Sequence, residues 1–154
     1  MTKDLAPVFL DEIRGPLLRE VLRTEPGFAF MRVSSGSMSP RLAVGDRIEV
    51  KAVAPRSLRP GDVVVFESEA AGLVVHRLIW RDRPLGRPTR IYTRGDALDR
   101  MDRPVLVDRV VGRVVSVTRE ESRFSPTTLR DRLRCWMMAA GLGLRRWSRM
   151  LFGR

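Results

Sequence analysis

Cysteine, histidine and lysine are almost missing from this chain. Its 154 residues include one cysteine, Cys135, one histidine, His76, and two lysines, Lys3 and Lys51. A single thiol excludes an intrachain disulfide and any zinc site built from several cysteines, and it leaves the redox compartment undetermined. Long apolar runs are missing as well. The longest stretch free of charge and strong polarity, residues 135–144, is ten residues long, against the roughly 20 that a spanning helix needs. No segment has the layout of a secretory signal. The expectation is therefore a protein that stays on the cytoplasmic side of the membrane, where it is made.

Arginine is what the chain has in excess. Basic residues number 29 against 18 acidic ones, a formal net charge of +11. Such a charge suggests an anionic partner, either a membrane surface or nucleic acid, although a codon bias toward arginine would give the same composition. Apolar content of 44% and charged content of 31% fit a globular protein, and the length fits one domain with its own core.

Three textures follow one another. In residues 8–23 the apolar side chains Phe9, Ile13, Leu17 and Val21 recur every four positions, the spacing of an amphipathic helix, with Gly15-Pro16 kinking or dividing it. Residues 1–27 are assigned to this N-terminal helical segment. From residue 28 to 118 the texture is β, with strands expected at 28–33, 47–53, 62–67, 73–80, 90–94 and 109–118 between Gly, Pro and Asp turns. The fold class expected is mainly β, a coiled, barrel-like sheet with a helix at each end. The run Val63-Val64-Val65-Phe66 is apolar on both faces, as a central strand covered on both sides should be. Residues 119–154 form the third part, where Leu129, Leu133, Trp136, Ala140, Leu144, Trp147 and Leu151 recur at intervals of three or four. Between residues 123 and 154 eight arginines stand against one acidic residue, Asp131. Two readings of residues 128–152 stay open: a helix lying on an anionic membrane surface, or one packed on the protein's own sheet. Nucleic acid is disfavoured, since two tryptophans in this tail make a poor stacking platform.

The chemistry concentrates at residues 34–40, S-S-G-S-M-S-P, between two expected strands. Gly36 permits close approach of a ligand to the backbone, and Ser39-Pro40 reads as the start of a short helical turn. Unpaired N–H groups at such a turn suit a developing oxyanion near Ser37. A serine nucleophile needs a base. His76 lies on an apolar strand, where period-two alternation puts it on one face with Val74, Leu78 and Trp80. Desolvation there favours the neutral, proton-accepting ring. Asp96, Asp99 and Asp102 follow in a carboxylate-rich loop and are the candidates to fix its tautomer.

The segments S-G-S-M-S-P, G-D-R-I-E-V, R-P-G-D-V-V-V-F, V-V-H-R-L-I and T-R-G-D-A, the last followed closely by D-R, resemble in order the boxes of the signal peptidase I family. The resemblance covers about residues 28–117 and is to the histidine-type enzymes of the endoplasmic reticulum and archaea. It implies the signal-peptidase/LexA-like fold and a serine endopeptidase, with Ser37 as nucleophile and His76 as general base. It further implies Asp102 as the carboxylate partner, ranked ahead of Asp96 as a supporting acid, and an oxyanion hole from the Ser37 N–H and the Ser35 hydroxyl. The implied partner is a peptide or protein substrate carrying a leader or signal-like segment, with no cofactor and no metal. Two differences qualify it. Signal peptidases carry an N-terminal membrane anchor, whereas the expectation here is a cytoplasmic enzyme, peripheral to the inner face of the membrane. The related self-cleaving LexA-type repressors use lysine. The alternative of another class is a catalytically inactive, peptide-binding module of the same fold.

Overall fold

A computed structural model describes residues 15–23, 27–83 and 85–152, with side chains described up to residue 140. It is mainly β. Eight strands form one antiparallel sheet: β1 (Phe28–Arg32), β2 (Arg47–Lys51), β3 (Val63–Ser68), β4 (Gly72–Asp82), β5 (Arg90–Arg94), β6 (Val105–Leu106), β7 (Val110–Arg119) and β8 (Ser122–Phe124). Among the described residues two helices flank it, α1 (Gly15–Arg23) and α2 (Leu129–Phe152). The strand order is β1-β2-β7-β3-β4-β5-β6, with β8 paired to β7.

Strand β3 lies between β7 and β4, and its alternation feeds two cores. Val63 and Val65 pack with Leu18, Leu22, Met31, Met38, Leu42, Ile48 and Val50. Val64 and Phe66 pack with Leu58, Leu78 and Ile91 on the other face. Four consecutive apolar residues are thus buried without a polar face.

Helix α1 seats Leu18 and Leu22 in the first core. The stripe expected through Leu17 and Val21 is displaced by one residue, and Leu17 is exposed. That stripe was counted from residue 8 onward, and within the described helix, Gly15–Arg23, the inward pair is Leu18 and Leu22. Phe9 and Ile13, on which it also rested, lie outside the described residues.

Six strands fall near their expected positions, but β6 and β8 carry too little apolar pattern to be read from sequence. β8 pairs with the end of β7 and so extends the sheet beyond residue 118.

Candidate functional site

The loop carrying Ser37 connects β1 to β2 and is fastened at both ends. Val33 N–H donates to the Asp46 carbonyl at 2.9 Å, and Gly45 N–H donates to the Val33 carbonyl at 2.8 Å. Asp46 accepts from Ala43 N–H and from two Arg119 nitrogens at 2.9 and 2.8 Å. The Arg119 hydrogen bonds hold the Asp46 carboxyl below its ordinary range despite burial. Met38 and Leu42 anchor the loop in the first core.

Ser37 sits inside a 3-10 turn, Gly36–Met38. The turn therefore ends, rather than starts, at Ser39. The residue before a proline disfavours the helical region, and Ser39 is extended at φ −64° and ψ 148°. The first N–H groups of such a turn have no acceptor within it, which leaves them for an outside oxygen.

His76 is in β4, among the second core's side chains, with the Phe66 ring edge-on at 6.3 Å. Its Nε2 lies 3.1 Å from Ser37 Oγ, and its Nδ1 lies 2.6 Å from Asp102 Oδ2. A carboxylate only accepts, so Nδ1–H donates to Asp102 and Nε2 is left to accept from the serine hydroxyl. Ser35 Oγ is 3.3 Å from Ser37 Oγ. The three side chains come from the β1–β2 loop, mid-β4 and the loop after β5, and they form one continuous hydrogen-bonded chain.

Two residues missed in the sequence complete this arrangement. Thr93, fully buried in β5, donates its hydroxyl to Asp102 Oδ2 at 2.6 Å, while Asp102 N–H donates back to the Thr93 carbonyl at 2.9 Å. A polar residue at an inward position of β5 was the available signal. Gly95 is the second. A Cβ there would lie 2.5 Å from the Ser37 carbonyl oxygen, nearer than packing allows. The same carbonyl accepts from Ala97 N–H at 3.0 Å, clamping the Ser37 loop to the loop after β5.

Asp96 is not part of this chain. It accepts from Arg77 Nε at 2.7 Å and Nη2 at 2.6 Å. Arg77 is buried and also donates to the Gly61 and Pro126 carbonyls. Burial alone would lower the Arg77 pKa; the Asp96 bonds and the charges of Asp96 and Asp131 outweigh it and raise the pKa above its ordinary value.

Trp80 also departs from expectation. The register shifts between Leu78 and Trp80, so Leu78 pairs with Thr93 but Trp80 pairs with its neighbour Tyr92. Cross-strand partners share a face, so the irregularity turns Trp80 away from the His76 side, where it stacks on Tyr92 with centroids 5.2 Å apart.

A groove of about 460 Å³ opens beside the imidazole. His76 and Asp102 line its wall, with Phe66, Val74 and Val105 giving it an apolar lining. Among the described residues no group of three or more His, Cys, Asp or Glu side chains is arranged to hold a metal ion. No protein-family model matches the chain, and no curated protein matches it.

Proposed function

We propose that the protein is a serine endopeptidase of the signal peptidase type, built on the signal-peptidase/LexA-like fold, that cleaves a leader or signal-like peptide. The observation that carries this reading is the unbroken chain from the Ser37 hydroxyl through the imidazole to Asp102. Its order is that of a nucleophile, its base and the group that orients the base.

Ser37 Oγ attacks the scissile carbonyl carbon while His76 Nε2 takes the hydroxyl proton. Asp102 stays ionised and stabilises the imidazolium. The Ser37 N–H and the Ser35 hydroxyl face the oxyanion. Collapse breaks the C–N bond, and the Nε2 proton goes to the leaving amine, leaving an acyl-enzyme on Ser37. Water, deprotonated by the same nitrogen, then releases the acyl half. The groove beside His76 receives substrate side chains, and Asp96 acts through Arg77 on the architecture rather than on the chemistry.

Comparing Ser37→Ala with the wild type in a peptide-processing assay tests this. Processing by the wild type alone is the expected result. Equal processing by both removes the proposal. Equal peptide binding with no processing by either assigns the protein to the inactive peptide-binding class instead.

A further inference from the structure

Helix α2 meets the body through the side of the helix opposite to its apolar stripe. Among its described side chains Cys135 is the buried one, with the thiol pushed above its ordinary pKa by burial. Thr128 N–H and Oγ1 donate to Asp131 Oδ2 at 2.8 and 2.7 Å, capping the helix. Asp131 in turn lies 3.9 Å from Arg41 and 4.0 Å from Arg77. Arg132 pairs with the buried Asp62 at 2.9 Å, close enough to the chain at Gly61 that a Cβ there would lie 2.9 Å from Arg132 Cα. These contacts fix the rotation of the helix about its axis.

That rotation leaves the apolar stripe outside. Leu129, Leu133, Trp136 and Met137 are 85%, 57%, 64% and 56% exposed. Such side chains gain by leaving water, and a contiguous patch of them marks an interaction surface. In the sequence the same spacing continues through Ala140, Leu144, Trp147 and Leu151, and the helix runs to Phe152.

The charge beside the stripe selects the partner. Arg59, Arg113 and Arg132 line a shallow hollow of about 700 Å³ together with Pro60, Leu133 and Trp136. Asp62 pairs with two of these arginines, Arg113 and Arg132, while Arg59 reaches it through its backbone N–H. At 100° per residue, Arg130 and Arg132 fall on the two flanks of the stripe. Apolar side chains with arginine on both sides match the boundary between acyl chains and phosphates. Nucleic acid would leave Leu129, Leu133 and Met137 uncovered.

We propose that α2 docks on an anionic lipid surface, with Leu129, Leu133 and Trp136 in the acyl boundary and Arg59, Arg113 and Arg132 at the phosphate level. The anchor is continuous with the site. Pro126, just ahead of α2, accepts from Arg77, the residue after His76 in β4. The inference does not depend on the peptidase reading, because binding is measured without substrate.

The test is co-sedimentation of the full chain with phosphatidylcholine vesicles, with or without about one third phosphatidylglycerol, at about 0.1 M and 0.5 M salt. Binding should require the anionic lipid and weaken with salt. The double variant Leu133→Gln/Trp136→Gln, exposed at both positions, should keep its melting temperature and bind at least about 10-fold more weakly. Arg59→Gln should cost about 5-fold. Undiminished binding by the folded double variant overturns the proposal. So does a wild type that ignores the vesicles, whether it binds a single-stranded oligonucleotide or self-associates through this face.

Discussion

His76 and Arg77 are neighbours on β4 and point to opposite faces of the sheet, yet each is met by an aspartate from the same loop after β5. Asp102 takes an imidazole N–H and a threonine hydroxyl. Asp96 takes two nitrogens of one buried guanidinium. The first pair leaves His76 Nε2 turned to a half-exposed serine. In the second, no titratable nitrogen is offered to solvent, because Arg77 also donates to the Gly61 and Pro126 carbonyls. Two carboxylates six positions apart in one loop thus take different work from their partners. One holds an imidazole; the other neutralises a buried charge that ties β4 to the segment entering α2.

Exchanging each carboxylate for its amide is the strongest way to break this comparison. Asp102→Asn should lower kcat by about 10,000-fold, since the amide favours the wrong imidazole tautomer, while the melting temperature stays near that of the wild type. Asp96→Asn should do the reverse. It leaves Arg77 charged and short of a partner, costing about 3 kcal/mol, or roughly 10 °C in melting temperature for a chain of this size, with kcat at low temperature reduced far less than in Asp102→Asn. If both variants lose activity and stability in the same proportion, the division of labour is wrong.

Thr93→Val sharpens the same contrast on a smaller scale. It removes one of the two bonds to Asp102 Oδ2 at nearly constant volume, and kcat should fall about tenfold with KM unchanged. An unchanged kcat would mean that Asp102 orients the ring without this bond.

The smallest effect concerns Asp46, which closes the loop carrying Ser37. Its folded pKa is depressed, chiefly by the Arg119 hydrogen bonds. The stability it contributes is therefore complete above the ordinary carboxylate pKa and is lost as pH falls through the folded value. The melting temperature should drop on acidification below the ordinary aspartate range, and Asp46→Asn should flatten that drop. An unchanged acid slope would show that the loop is closed by its backbone bonds instead.

Much of the sheet was legible because β-branched and apolar runs between turn residues report burial directly, as Val63-Val64-Val65-Phe66 does. The candidate cluster was legible for a different reason: with one histidine in the chain, the base had one candidate. The residue pattern alone did not choose between Asp96 and Asp102, since both are turn aspartates; the family resemblance ranked Asp102 first, and the pairing register decides which meets His76 and which meets Arg77. Trp80 was misread because one irregular position in β4 inverts every later side chain. Local spacing gave the apolar stripe of α2 but not the direction it faces, which is set by Asp62, Gly61 and Arg77, distant in the chain.

The central claim, that Ser37 is a nucleophile activated by His76, is tested most directly by a single-turnover reaction. A slowly deacylating activated peptide ester is mixed with the full chain, quenched, and read by peptide mass spectrometry. The account predicts the acyl mass on Ser37 in the wild type, and its absence in the folded His76→Ala and Ser37→Ala variants. An acyl group found elsewhere, or formed on Ser37 as fast without the imidazole, would contradict it.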